Sequence, residues 1–360
     1  MGKKIAPIIL QEGKYTASDL EELSSTNRIW KIHDIYKNQL SELFEITHPA
    51  LHNSPDYSKK RSEFIYKRLS YGAKLCGNWV YFPWNGRLIH MVNEEDYFLL
   101  RTNRNKNLIN HKEQQKLRNV QVGIVGLSIG NMIATSLVYN GIADFMKIVD
   151  HDTLETTNLN RVRSTVYDIG TEKNIITLQE IYEINPYAKI AVFKEGLTKK
   201  TMHNFFFKDP VPDIVFDAID DFEMKIRLRI MAKQCKIPVI MLTNLGDTIL
   251  IDIERYDINP DLPLFNGLIR STPEEILKKK RISEDDKQKY AVNIVGIDHV
   301  PKRALASISE INKTLVGRPQ LGSTVTITGG VAAYLVKRLA LHDSLPSGRT
   351  HFSLDNLLKK

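Results

Sequence analysis

From Val120 onward, short β-branched runs alternate with stretches of helical period, and that alternation leaves few folds open. Val120–Val125 reads as a strand ending at Gly126. Asn131 to Tyr139 has helical periodicity and stops at Asn140-Gly141, a stop signal because glycine tolerates the left-handed conformation. Further strands are expected at Phe145–Val149, Lys189–Phe193, Asp213–Phe216 and Pro238–Leu242. Helices are expected at Glu172–Ile184, Thr198–Phe207 and Glu223–Cys235 between them. Strands separated by helices of this length imply a mainly parallel sheet with right-handed crossovers, covered on both faces. The fold class read here is α/β, Rossmann-like and doubly wound. Thr248–Tyr256 alternates like an antiparallel or edge strand. The Pro, Lys and Asp clusters of 257–300 suggest a long loop or crossover, and 329–341 reads as a closing helix.

The preceding region has a different texture. Tyr57–Arg68 is polar and basic, and Asn78–Arg87 is aromatic-rich with an Asn85-Gly86 turn expected between two short strands. Trp79 and Trp84 suit either a stacking platform for bases or the core of a small β unit. These textures divide the chain into an α+β accessory domain over 1–97 and a larger domain over 98–360, and 360 residues agree with about 150 per domain. No apolar run approaches the roughly 18 residues of a membrane span. The start, MGKKIAPIILQEGKY, lacks a long hydrophobic region and a small-residue cleavage site, so a cytoplasmic location without membrane contact is expected. Fifty Lys+Arg against 42 Asp+Glu give +8. That excess suits nucleic acid, an acidic substrate or a polyphosphate, but the lysines are scattered, as on an ordinary solubilising surface. Two cysteines, Cys76 and Cys235, make neither a disulfide framework nor a four-thiolate zinc site.

A strand, then Gly126-Leu127-Ser128-Ile129-Gly130, then a helix is where a doubly wound sheet binds a nucleotide: glycine permits the tight turn, and the helix-start amides face phosphate. Twenty-four residues after Gly126, at the tip of the next strand, Asp150 is placed to accept from ribose hydroxyls. The turn departs from G-x-G-x-x-G, with Ser128 at the second glycine, Asn131 at the third, and Gly130 out of register. By itself it fits a ligand-free turn or a nicotinamide dinucleotide site as well.

The residues from Asp150 onward narrow the choice. Asp150-His151-Asp152-Thr153-Leu154-Glu155-Thr156-Thr157-Asn158-Leu159-Asn160-Arg161 is succeeded by Asp168-Ile169-Gly170-Thr171-Glu172-Lys173, then by Asp217-Ala218-Ile219-Asp220-Asp221 at a strand end. In order and spacing this resembles the ThiF, MoeB and ubiquitin-activating superfamily of adenylating enzymes, over roughly residues 98–256. The family pattern is D-x-D-x-V-E-x-S-N-L-N-R-Q, D-x-G-x-x-K and D-A-x-D-N. Val162 stands for the family's Gln and Asp221 for its Asn. The narrower likeness, over Gly77–Asn105 and Pro319–Ser323, is to bacterial ThiF-domain proteins.

The resemblance implies an ATP-dependent adenylyltransferase that joins a carboxylate to the α-phosphorus of ATP and expels pyrophosphate. It implies nucleotide contacts from Gly126, Ser128, Gly130, Asp150, Asp152, Asn158, Arg161 and Lys173, with Arg161, Lys173 and Asp220 catalytic and Asp220 the Mg²⁺ ligand. The residue types suit that work: Arg is a planar fork for phosphate, Lys a point charge, and Mg²⁺ typically uses one or two carboxylates plus phosphate oxygens. Arg101-Thr102-Asn103-Arg104-Asn105 resembles the family's R-Y-x-R-Q segment, which implies a homodimer with Arg104 reaching the partner's site in trans. The C-x-x-C pairs of zinc-binding members are absent, so no zinc is expected, and Cys76 and Cys235 read as structural thiols. The implied substrate is a peptide or small-protein C-terminus or a small acid. The Asp217–Asp220 and Cys235–Pro238 segments also resemble the tRNA threonylcarbamoyladenosine dehydratase branch, which keeps tRNA as an alternative substrate.

Overall fold

The computed structural model describes residues 5–70, 72, 75–269, 273–278 and 283–358. Two compact units form. The first runs up to Gln114 and takes in Tyr182–Tyr187; the second comprises Gln115–Ile181 and the chain from Ala188 on. Sequence texture alone puts the boundary at 97/98.

The first unit holds β1 (Ile8–Leu10), α1 (Ala17–Thr26), β2 (Lys31–Asp34), α2 (Tyr36–Thr47), α3 (Tyr57–Leu69), β3 (Asn78–Phe82), β4 (Arg87–Met91) and α4 (Glu94–Thr102). Thr16 opens α1 with a capping box, each partner's side chain accepting from the other's backbone amide. The four strands run in the order β1-β3-β4-β2. The aromatic-rich stretch is the β3–β4 hairpin, and Trp79, Val80, Tyr81 and Phe82 are all buried. Trp79 stacks on His90 at 4.4 Å between ring centres. Of the two sequence readings for Trp79, the core one holds.

The second unit starts within α5 (His111–Asn119) and continues through β5 (Gln121–Val125), α6 (Ile129–Tyr139), β6 (Phe145–Val149), α7 (Lys173–Ile184, whose last turn from Tyr182 belongs to the first unit), β7 (Lys189–Phe193), α8 (Lys199–Phe207), β8 (Ile214–Asp217), α9 (Phe222–Gln234), β9 (Val239–Leu245) and β10 (Thr248–Glu254). After these come α10 (Pro273–Lys278), α11 (Glu284–Val295), α12 (Lys302–Ile308), α13 (Gly322–Ala340), β11 (Gly348–Ser353) and α14 (Leu354–Leu358). The seven strands order as β11-β10-β9-β8-β5-β6-β7, parallel from β9 to β7, with β10 and β11 antiparallel at one edge. The α/β doubly wound class therefore holds. Strands β5, β6 and β8 are almost wholly buried, as continuous apolar runs covered on both faces must be. The chain leaves β5 in one direction to β6 and β7 and returns on its other side to β8 and β9. A switch point thus lies at the carboxyl ends of β5, β6 and β8, where open α/β sheets bind ligands.

Two expectations change. The 257–300 stretch, read as a loop or crossover, contains a 3₁₀ turn at Leu264–Gly267, α10, α11 and a further turn at Ile297–His299. Ile276 and Ile294 are buried in a cluster with Phe222, Met241, Leu250 and Phe265, so short amphipathic helices sit behind the polar composition. Residues 270–272 and 279–282 of that stretch lie outside the described residues. The closing helix begins at Gly322, seven residues before the expected start. No helix among the described residues is long and apolar enough to cross a membrane.

Candidate active site

The turn after β5 is wedged between its neighbours. Gly126 N–H donates to Val149 O at 2.8 Å, and Ala218 N–H donates to Val125 O at 2.8 Å. Gly126 adopts φ +91°, and a Cβ there would sit 2.3 Å from Ala218 O, so both conformation and space require glycine. Ser128 occupies the N-cap position of α6 without capping it. Its Oγ instead accepts from Arg161 Nε at 3.2 Å. The first-turn amides of α6 therefore have no side-chain cap, the arrangement that favours an anion. Gly130 packs on Ile124, where a Cβ would lie 2.8 Å from Cγ2. Asn131, noted in the sequence only as a departure from the glycine pattern, is fully buried. It donates to Glu180 Oε2 (2.6 Å) and Thr177 Oγ1 (3.0 Å) and accepts from Arg163 N–H (3.1 Å), tying α6 to α7 and to the chain after Arg161.

Asp150 ends β6 on its carboxyl side and is 8% exposed. Its Oδ2 accepts from Leu127 N–H at 2.6 Å and its Oδ1 from Asp152 N–H at 2.8 Å, so the carboxylate fixes the glycine turn against β6. Each oxygen keeps acceptor capacity for a hydroxyl. Asp152 accepts from Lys173 Nζ at 2.9 Å, with the Lys173 side chain 9% exposed at the start of α7. Burial works against the charged form of Asp152, but the hydrogen bond and charge of Lys173 outweigh it and hold the carboxyl below its ordinary range. Asn158 is buried; its Oδ1 accepts from Glu155 N–H at 3.1 Å and closes a 3₁₀ turn that sets the direction of the Asn160-Arg161 pair.

Arg161 donates from Nη1 to Thr157 O (3.1 Å) and Asn160 Oδ1 (2.9 Å). Burial lowers its pKa and the charge of the Asp220 carboxylate counters that; an arginine stays charged throughout. Asp220 projects beyond β8 with its side chain 86% exposed and pairs with Arg318 at 2.5 Å. The exposed Asp220 carboxylate could supply one ligand to a Mg²⁺ arriving with phosphate, for which it would have to release Arg318. Ligand atoms of Asp150, His151 and Asp152 also lie within 4.8 Å of one another, but the backbone and Lys173 already engage the two aspartates.

Arg318 carries no sequence signal of its own. Its segment is clamped to the Arg161 loop: Asn160 Nδ2 donates to Gln320 O at 2.9 Å, and a Cβ on Gly322 would fall 2.1 Å from Asn160 O.

Behind Asp220 lies a buried charge network that the sequence reading also missed. Asp217 and Arg229 are both fully buried and meet at 2.6 Å, Arg229 also pairs with Glu254 at 2.6 Å, and Lys225 reaches Asp217 at 2.9 Å. The Arg229 guanidinium lies 3.8 Å from the centre of the Phe265 ring. Tyr256 Oη and Phe265 N–H both donate to Glu254 Oε1 at 2.6 Å. Burial opposes ionisation of Asp217, yet Lys225 and Arg229 hold its carboxyl below the usual range. Asp217 also accepts from Ile219 N–H at 3.3 Å, so the network anchors the segment that presents Asp220.

Of the residues picked from sequence, Gly126, Ser128, Gly130, Asp150, Asp152, Asn158, Arg161, Lys173 and Asp220 share the carboxyl edge of β5, β6 and β8. Arg104 lies exposed in a single 3₁₀ turn, Asn103–Asn105, of the first unit. Cys76 is buried, Cys235 half-buried, and burial pushes both thiols up. At the amino ends of β5, β8 and β9 there is a cavity of about 690 Å³ lined by Val120, Asp213, Cys235, Pro238 and Arg255, among others; none of the motif residues lines it.

A sequence profile of the ThiF family matches residues 101–356. An uncharacterized protein of Mycobacterium tuberculosis is 33% identical over 282 residues, 78% of this chain and 38% of that protein. The tRNA threonylcarbamoyladenosine dehydratase of Bacillus subtilis is 28% identical over 158 residues, 43% of this chain and 60% of that protein. The matched part of the chain thus spans less than two thirds of either relative. Among solved structures, the E. coli tRNA N6-threonylcarbamoyladenosine dehydratase TcdA in complex with AMP gives a TM-score of 0.49 at 18% identity, covering 70% of this chain and 98% of that one. E. coli MccB with ATP gives 0.48 at 17% identity, covering 88% and 84%.

Proposed function

The chain belongs to the ThiF family, and from that premise we propose that it is an ATP-dependent adenylyltransferase that activates a carboxylate as an acyl-adenylate. The supporting observation is the collection of Arg161, Lys173, Asp152 and Asp220 around an uncapped helix start at the switch point, in the order of the family pattern. In the reaction a carboxylate oxygen of the substrate bonds to the α-phosphorus of ATP, the bond to the bridging oxygen breaks, and pyrophosphate leaves with that electron pair.

The protein's task is placement and charge. The α6 amides and Ser128 receive the phosphates, Arg161 and Lys173 balance their charge, and Asp150 accepts from the ribose. Asp152 keeps the Lys173 ammonium in one position, which limits the rotamer entropy lost on binding. Asn158 fixes the direction of Arg161. Asp220 would hold Mg²⁺, which would supply further neutralisation of phosphate oxygens. Arg104 of one subunit serves the site of the other in a homodimer, as an added cation for charge that develops in the transition state. The substrate carboxylate belongs to a peptide or small-protein C-terminus or to a small acid.

A second reading shares the first step: relatives named tRNA threonylcarbamoyladenosine dehydratase favour a carboxylate carried on tRNA. A nicotinamide-linked oxidoreductase has no use for Lys173 or Asp220 and is disfavoured. The test is incubation of the full chain with [γ-³²P]ATP and Mg²⁺ against size-separated peptide, protein, small-acid and total-tRNA fractions, with labelled pyrophosphate separated and counted and adenylated species identified by mass spectrometry. Carboxylate-dependent pyrophosphate release by the wild type that Asp220→Ala abolishes supports the proposal. Release unchanged in Asp220→Ala refutes the metal assignment, and NAD binding without ATP binding refutes the function.

A further inference from the structure

We propose that Arg318 is an exchangeable cation of the nucleotide site, paired with Asp220 and passed to the phosphates when metal and nucleotide arrive. This inference rests on the adenylyltransferase reading. Three observations carry it. Arg318 pairs with the side chain proposed to hold the metal, at 2.5 Å. Its segment is built against the Arg161 loop by the Asn160–Gln320 hydrogen bond and by a close approach that only glycine at 322 permits. The charge of the same Asp220 carboxylate also opposes the effect of burial on Arg161, so the carboxylate acts on both guanidinium groups.

The pair is suited to exchange because it is weak. Arg318 and Asp220 side chains are 55% and 86% exposed, and exposed ion pairs contribute little net stability. Asp220 would be a ligand for a divalent cation accompanying the nucleotide, and a doubly charged ion would compete with one guanidinium for that carboxylate. Once displaced, Arg318 is left at the mouth without its anion, and the nearest incoming anion is the phosphate chain. A planar guanidinium pairs with phosphate oxygens as readily as with a carboxylate. Metal and Arg318 are therefore coupled: without metal, Asp220 retains Arg318 and the nucleotide gains little from it.

Coupling gives a readout that a structural role does not. Titration calorimetry of the full chain with α,β-methylene-ATP is run in excess Mg²⁺ and in EDTA, for wild type, Arg318→Ala and Arg318→Lys. In Mg²⁺, Arg318→Ala weakens binding by about ten- to a hundredfold, the range of one charge-assisted contact, and Arg318→Lys by less. In EDTA the alanine variant binds within about threefold of wild type, because the pair it breaks is an exposed one. Equal losses in both buffers, or no loss in Mg²⁺, overturn the inference while leaving the adenylyltransferase reading intact. Wild type that binds no nucleotide in either buffer overturns that reading and this inference with it. Melting temperatures of the variants, expected to match wild type, establish that all are folded.

Discussion

Replacing Gly126 by alanine tests the geometry of the turn with a magnitude that the structure supplies. Two penalties apply. A left-handed backbone at φ +91° costs an L-residue about 1–2 kcal/mol. The new Cβ would also lie 2.3 Å from Ala218 O, against the 3.4 Å of ordinary contact, so the turn and the end of β8 must part by 3.4 − 2.3 = 1.1 Å. Overpacking of that kind costs about 1–3 kcal/mol, which brings the sum to about 2–5 kcal/mol. Gly170 is the internal control: its φ is +84°, nothing lies within 4 Å of its would-be Cβ, and alanine there bears the backbone penalty alone. At about 2–4 °C per kcal/mol for a unit of this size, Gly126→Ala melts about 4–20 °C below wild type and Gly170→Ala about 2–8 °C below, always the smaller loss. Differential scanning calorimetry measures both. Because Ala218 lies two residues before Asp220, nucleotide affinity at 20 °C also falls more than tenfold in Gly126→Ala alone, an amount of about 1.4 kcal/mol or more. Equal melting of the two variants within 1 °C, or equal nucleotide affinity, refutes the argument that the turn and β8 are held in mutual contact.

The same geometry sets other outcomes. The Asp217 carboxyl is depressed in the folded protein, so the stability it contributes is fully present above its unfolded pKa of about 3.9 and is lost as pH falls through the lower folded value. Melting curves from pH 6 to pH 2.5 therefore fall more steeply below about pH 4 for wild type than for Asp217→Asn; parallel curves contradict the assignment. Mixing Arg104→Ala with Lys173→Ala protein restores part of the adenylation that each lacks alone, since a hybrid dimer has one intact site, and no recovery at any ratio excludes action in trans. With both thiols pushed up by burial, stoichiometric iodoacetamide at pH 7 leaves Cys76 and Cys235 unmodified in native protein and alkylates both in urea, as read by mass spectrometry. Rapid native alkylation of either thiol contradicts that account.

The parallel core was legible because β5, β6 and β8 are short, continuous, apolar and bounded by glycine or aspartate, so local pattern and burial coincide. Strand order was not, since it depends on pairing between residues far apart in sequence. The 257–300 stretch misled because α10 and α11 each bury only a few apolar side chains, Ile276 and Ile294 among them, within a lysine- and aspartate-rich context. Arg229 sits in a run of alternating charged and apolar residues that by itself names no partner for it. Only the position of α9 against β8 and β10 reveals it as the counter-ion of Asp217 and Glu254. Asn131 shows the reverse: a break in the glycine pattern that weakened the sequence signal has a structural cause in its contacts with Thr177, Glu180 and Arg163. Arg318 left no trace in one dimension because its meaning comes from Gly322 and Asn160, residues 162 positions apart, touching. The candidate site residues picked from sequence were those that a shared motif fixes in order; the residues that support them from other elements carry no such motif.

Under the proposed function, Arg161, Lys173 and Asp220 surround a triphosphate at the β5–β6–β8 edge, and a crystal structure of the full chain with ATP and Mg²⁺ decides it. The expected result is a triphosphate on the α6 amides, with Arg161 and Lys173 on its oxygens, metal on Asp220 and Arg318 moved from that carboxylate onto phosphate. Nucleotide bound elsewhere, or these side chains turned away from a nucleotide in that pocket, contradicts it.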